Sequence, residues 1–127
     1  MPANFLLISR KEETAWSLVL SQALKPWGKL EITLEMDAIR WIAQYRCDAV
    51  VIVDATVVDD VPALISRLRD QCPQIRIVIA TASPTWQRAR EVLRLGAVDY
   101  IRKSLDKEEF SVAIKDILGR SLPASLD

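Results

Sequence analysis

The chain has 127 residues, half of them hydrophobic, with 17 basic and 17 acidic side chains and a formal net charge of zero. That length suits one domain able to bury its own core, and the balanced charge gives no bulk attraction to nucleic acid, so no direct nucleic-acid contact is expected. Histidine is absent, which excludes Ser-His and Cys-His nucleophile pairs and His-based metal sites.

From the N-terminus, Met1-Pro-Ala-Asn lacks the basic region of a signal peptide. No apolar run along the chain approaches the roughly 18 residues of a membrane span, so a cytoplasmic protein without membrane contact is expected. Phe5 to Ile8 is a short apolar run of buried-strand type. Trp16, Val19, Leu20, Ala23 and Leu24 then recur at helical spacing, closed by Pro26 and Gly28. Leu30 to Leu34 alternates like a strand with one covered face, and Ala38, Ile39, Ile42 and Ala43 form a second helical stripe. Cys47 and Cys72 are too few for a disulfide framework and lack metal-ligand spacing.

Ala49 to Val53 is apolar and β-branched on both faces, as a central parallel strand requires. Val61, Leu64, Ile65 and Leu68 mark a third helix that ends before Pro73. Ile75 to Ala80 is another two-faced strand. Ala89, Val92 and Leu93 mark a fourth helix stopped by Gly96. Tyr100 and Ile101 sit in a short fifth strand. Phe110, Ala113, Ile114, Ile117 and Leu118 form the last helical stripe, with Asp106 and Glu109 spaced as a capping box.

The pattern is β-α five times over. Right-handed crossovers then put helices on both faces of a parallel sheet, an α/β, flavodoxin-like, doubly wound (βα)5 fold with strand order 2-1-3-4-5. Residues 1–121 are read as one domain and 122–127 as a tail or linker stub. In such a sheet, chemistry gathers at the carboxyl ends of the strands. The residues there are Ser9-Arg10, Val53-Asp54, Thr81-Ala82 and Arg102-Lys103. The three glycines stand at 28, 96 and 119, and none forms a phosphate-cradling loop.

Thr81-Ala82, a helix, and then Gly96-Ala97-Val98-Asp99-Tyr100-Ile101-Arg102-Lys103 resemble the second half of a response-regulator receiver domain of two-component, phosphorelay systems. The resemblance extends from about Asn4 to Leu118, with the N-terminal half carried by element order. It implies phosphoryl transfer to an aspartate, with magnesium held by acidic residues after the first strand and with a hydroxyl and a lysine on the phosphoryl oxygens. Thr81 matches the hydroxyl position, Lys103 the lysine and Tyr100 the aromatic switch. The acidic pair is replaced by Ser9-Arg10, and a guanidinium repels a cation. Glu12 and Glu13 are either substitute acids or, the reading preferred, helix N-terminal acids favoured by the macrodipole.

The phosphoacceptor column falls on Val53, whether counted back from Thr81 or forward from Asp48, and Asp54 lies one residue beyond. Because neighbouring strand residues face opposite ways, an ungapped Val53 fills the pocket while Asp54 points away. A bulge or altered strand end instead turns Asp54 into the pocket, and a plain loop-entry role leaves it capping residues 55–60. Segment 55–60 lacks the family's Met-Pro and glycine, and Ser104 replaces the proline after Lys103.

Arg10 either sits in the vacated metal position on a remaining carboxylate or does not. Tyr100 is a switch, or a half-buried strand tyrosine with its hydroxyl in water. Lys103 pairs with Asp54 or snorkels from the sheet end.

The family's usual interaction face, the fourth helix, fifth strand and fifth helix, carries Trp86, Arg90, Arg94, Asp99, Arg102, Lys107 and Lys115. Its alternating charges suit either self-pairing, with Trp86 the candidate anchor, or an ordinary solvated surface. Trp16, Trp27 and Trp41 are expected at helix–sheet seams or helix ends.

The resulting expectation is a non-enzymatic, degenerate receiver. It acts through a protein partner or a second copy of itself on that face, with a histidine kinase or an output domain as further candidates, and it uses no cofactor. The alternative is a phosphoaccepting regulator using Asp54, the one case in which magnesium enters. A flavodoxin-like ligand-binding domain or enzyme is a remote third reading.

Overall fold

The computed structural model describes residues 3–10, 12, 14–45 and 48–120. Its elements are β1 (Ala3–Ile8), α1 (Ala15–Leu24), β2 (Gly28–Thr33), α2 (Glu35–Tyr45), β3 (Val50–Asp54), α3 (Val61–Gln71), β4 (Arg76–Thr81), α4 (Trp86–Arg94), β5 (Asp99–Arg102) and α5 (Lys107–Arg120). The strands form one parallel sheet in the order β2-β1-β3-β4-β5. This is the doubly wound architecture expected from the alternation of two-faced strands with amphipathic helices. The reading of residues 122–127 as a tail falls outside the described residues.

Strand parity divides the core in two. Leu6, Ile8, Val51, Val53, Ile77 and Ile79 pack with Ala38 and Ile42 of α2, Leu64, Ile65 and Leu68 of α3, and Val92 of α4. On the other face Phe5, Leu7, Val50, Ile52, Val78 and Ala80 pack with Trp16, Leu20 and Leu24 of α1 and Phe110, Ile114 and Ile117 of α5. Each such buried large apolar side chain contributes about 1.5–3 kcal/mol. Ala43 and Leu93, placed on helical stripes by periodicity, are exposed.

The helix ends follow local chemistry. Thr14 and Ser17 form a reciprocal capping box at α1, and Asp60 and Thr85 cap α3 and α4. At α5 the Asp106 carboxylate accepts from the Glu108 N–H at 2.9 Å, but Glu109 does not complete the expected box. Its carboxylate lies 3.6 Å from the Arg102 guanidinium, which draws it toward β5. Cys72, buried after α3, is disulfide-bonded, and Cys47 falls outside the described residues.

Gly96 ends α4 with φ at 113°, a backbone region costly for any side chain. The Arg69 guanidinium covers it and donates to its carbonyl at 3.4 Å, and an added Cβ would run into that guanidinium. Gly96→Ala should therefore lower stability by about 1–3 kcal/mol, read as a lower urea midpoint. An unchanged midpoint would mean that the turn relaxes at no cost.

Candidate functional site at the carboxyl end of the sheet

The site grows out of the register between β1 and β3. Ile8 pairs with Val53, so the next residues, Ser9 and Asp54, lie on the face that carries Phe5, Leu7, Val50 and Ile52. Asp54 remains in the ladder, opposite Ala80 of β4. It is only 3% exposed, and a carboxylate is not left there without partners. Oδ2 accepts from the Ser9 hydroxyl at 2.8 Å, Oδ1 from the Thr56 backbone N–H at 3.0 Å, and Lys103 Nζ reaches both oxygens at 3.1 Å. Four contacts thus occupy the roughly four lone-pair directions of one carboxylate.

This geometry corrects the assignment of the pocket position to Val53. Val53 is fully buried in the core on the α2–α3 side, while Asp54 follows the parity of Ile52 into the site. No bulge is needed, because the β3–β4 pairing runs without interruption from Val50 to Asp54. The count failed because its anchors lie outside the strand. Asp48 precedes β3 and is exposed, and counting back from Thr81 borrows the family's spacing across residues 55–60, where this chain departs from it. The loop-entry reading of Asp54 also holds, since the Thr56 N–H bond is an Asx-type turn.

The other named residues separate. Ser9 joins the site, whereas Arg10 is exposed, and the cation on Asp54 is Lys103, so Arg10 does not take the vacated metal position on that carboxylate. Glu12 is exposed and precedes the Thr14 cap, so it lies outside the first turn of α1; Glu13 is outside the described residues. The Thr81 hydroxyl, buried, accepts from the Ser83 N–H at 3.2 Å, and the Thr81 carbonyl accepts from the Lys103 N–H at 2.8 Å. Tyr100 is half-buried, and its hydroxyl accepts from the N–H of Thr85, the α4 cap, at 3.2 Å. That hydroxyl is engaged by the protein, not by water alone. Thr81 and Tyr100 line a cavity of about 220 Å³ with Ala55, Val58, Ile79 and Val92.

On the face of α4, β5 and α5, Trp86 is 66% exposed with the Arg90 guanidinium 5.7 Å from its ring centre. Arg94, Arg102, Lys107 and Lys115 are exposed, and Asp99 is half-buried and accepts from the Tyr100 N–H. Periodicity did not single out Leu105 and Val112, which are also exposed on or beside α5. Trp27 and Trp41 are partly buried against the two cores. Trp16 does more than fill a seam. It is buried, and Lys103 Nζ lies 4.8 Å from its ring centre. No spacing in the sequence signals that contact, because it joins the start of α1 to the end of β5.

Magnesium is a poor match for this donor set. A hard octahedral cation needs several anionic or neutral oxygens. Among the described residues, the contacts of Asp54 are an ammonium, a serine hydroxyl and a backbone N–H, with no second carboxylate beside it.

No family model matches the chain. It is 31% identical over 126 residues to the DNA-binding transcriptional regulator NtrC of a Bradyrhizobium strain, a match covering 96% of this chain and 25% of that protein. It is 27% identical over 114 residues to the photosynthetic apparatus regulatory protein RegA of Rhodobacter capsulatus, covering 88% of this chain and 61% of that one. The chain therefore spans about a quarter and about three fifths of the length of these relatives. A response regulator from Thermotoga maritima shares the fold, with a TM-score of 0.81 at 21% identity over 94% of this chain and 99% of that one.

Proposed function

We propose that the chain is a degenerate receiver domain of the two-component response-regulator type that signals by contact, without magnesium-dependent phosphorylation. Its likeness to NtrC, to RegA and to the Thermotoga maritima response regulator supports the receiver reading. The observation that carries this reading is the saturation of Asp54. Both carboxylate oxygens are held by Lys103, with Ser9 on one and the Thr56 N–H on the other. A nucleophilic oxygen needs a free lone pair, and each oxygen of this carboxylate already accepts two contacts.

Output then falls to the surface of α4, β5 and α5, where exposed Trp86 stands among arginines. The partner is a protein, a second copy, a kinase or an output domain, met without direct nucleic-acid or membrane contact. Among the described residues no helix is long and apolar enough to cross a membrane.

A second reading keeps Asp54 as phosphoacceptor. It is favoured by the position of that carboxylate at the end of β3 beside Lys103. One experiment decides between them. The protein is incubated with acetyl phosphate and magnesium, or with beryllofluoride and magnesium, beside a responsive receiver as control. No mass adduct and no NMR response are expected. A stoichiometric adduct that disappears in Asp54→Asn would establish the second reading instead.

A further inference from the structure

We propose that Trp16 is a positioning residue for Lys103, its indole face holding the ammonium against the Asp54 carboxylate so that the three side chains form one clamp. The proposal deepens the reading above and rests on the same Asp54–Lys103 pair. It does not depend on whether Asp54 accepts phosphate.

Three observations converge on it. First, Lys103 Nζ is bracketed, with both Asp54 oxygens at 3.1 Å and the Trp16 ring centre at 4.8 Å. The second distance is within the range over which a cation is attracted by an indole face, and the attraction strengthens as water is removed. The Lys103 side chain is only 20% exposed, so water screens this contact weakly.

Second, Trp16 is itself held in place. The Thr14–Ser17 capping box fixes the first turn of α1, and the Phe110 ring backs the indole at 5.7 Å and 45°. Third, the buried indole N–H of Trp16 has no acceptor among the described residues. A buried N–H without a partner is unfavourable, and phenylalanine or leucine would fill an apolar site without that cost. What tryptophan adds over either is a larger apolar body and the strongest aromatic face for a cation, and the ammonium lies over that face.

The consequence is a Lys103 that does not swing freely. Anion and ring together restrain its ammonium, and Asp54 stays neutralised as a standing condition.

The test reads Lys103 itself. Reductive methylation of the folded protein is followed lysine by lysine with mass spectrometry, and the Lys103 Cε protons are followed by NMR, assigned with Lys103→Arg. In the wild type Lys103 should be the slow lysine, with Cε protons shifted upfield by the ring. Trp16→Leu should speed its modification on the order of tenfold and abolish the shift, while Trp16→Phe should keep a weakened form of both.

Biosynthetic replacement of tryptophan by mono-, di- and trifluorotryptophan keeps the shape and drains the ring of charge. Lys103 reactivity should rise stepwise along that series, and this arm stands even if Trp16→Leu does not fold. Reactivity indifferent to fluorination, or Lys103 protons without a ring shift in the wild type, would overturn the proposal. A phosphoryl adduct at Asp54 would overturn the contact reading and leave these results untouched.

Discussion

Lys103→Met is expected to destabilise the fold by about 2–3 kcal/mol, and more than Asp54→Asn does. Removing one partner of a buried ion pair typically costs about 3–5 kcal/mol, because the other charge stays buried without compensation. Two features lower that figure here. The Lys103 side chain is 20% exposed against 4% for Asp54, so solvent screens the pair in part. Ser9 and the Thr56 N–H also remain on the carboxylate.

The asymmetry follows from geometry. Without Asp54 the lysine can extend toward solvent from the end of β5, but without Lys103 the carboxylate has nowhere to go. Asp54→Asn in the Lys103→Met background should accordingly recover part of the loss. Urea unfolding of the four proteins measures all of this. A Lys103→Met midpoint equal to wild type, or an Asp54→Asn loss larger than that of Lys103→Met, would mean that the pair does not hold the site together.

Phe110→Ala should have a larger effect still, a loss of about 3–5 kcal/mol, the usual cost of emptying a buried phenylalanine site. Phe110 lies at the start of α5, 2% exposed, within the core formed by α1, α5 and one face of the sheet. It also backs Trp16, so the cavity opens directly behind the residue that faces Lys103. For a domain near the lower end of the usual range of about 5–15 kcal/mol of total stability, such a loss leaves a substantial unfolded fraction. Val112→Ala on the exposed side of the same helix should stay within about 0.5 kcal/mol of wild type, which separates packing from helix propensity. A Phe110→Ala loss below about 1.5 kcal/mol would show that α5 collapses onto the vacated space.

The order of elements, the parallel sheet and most of both cores were legible in the residues. Ala49 to Val53 and Ile77 to Ala80 are apolar on both faces, which only a strand covered on both sides tolerates. The stripes at Leu64, Ile65 and Leu68 and at Phe110, Ile114 and Ile117 fix which side of α3 and α5 turns inward. Apolar spacing is a local property, and local spacing is what a sequence records. Exposure at helix ends was less legible. Leu93 fits the α4 stripe, and Leu105 and Val112 look like any apolar residue, because burial there depends on how far the neighbouring element extends.

The site was legible only as a set of candidates at the strand ends. That Ser9-Arg10 follow the first strand, where the resemblance leads one to expect an acidic pair, is written in the chain itself. Which of Val53 and Asp54 enters the pocket is not, since a one-residue slip in a strand reverses every side chain and the family count crossed a segment that departs from the family. The pairing Ile8 with Val53, and Asp54 with Ala80, decided it. The same holds for Lys103 between Asp54 and Trp16. Those three residues come from β3, β5 and α1, and only the closure of the sheet with α1 against α5 brings them within reach of one another.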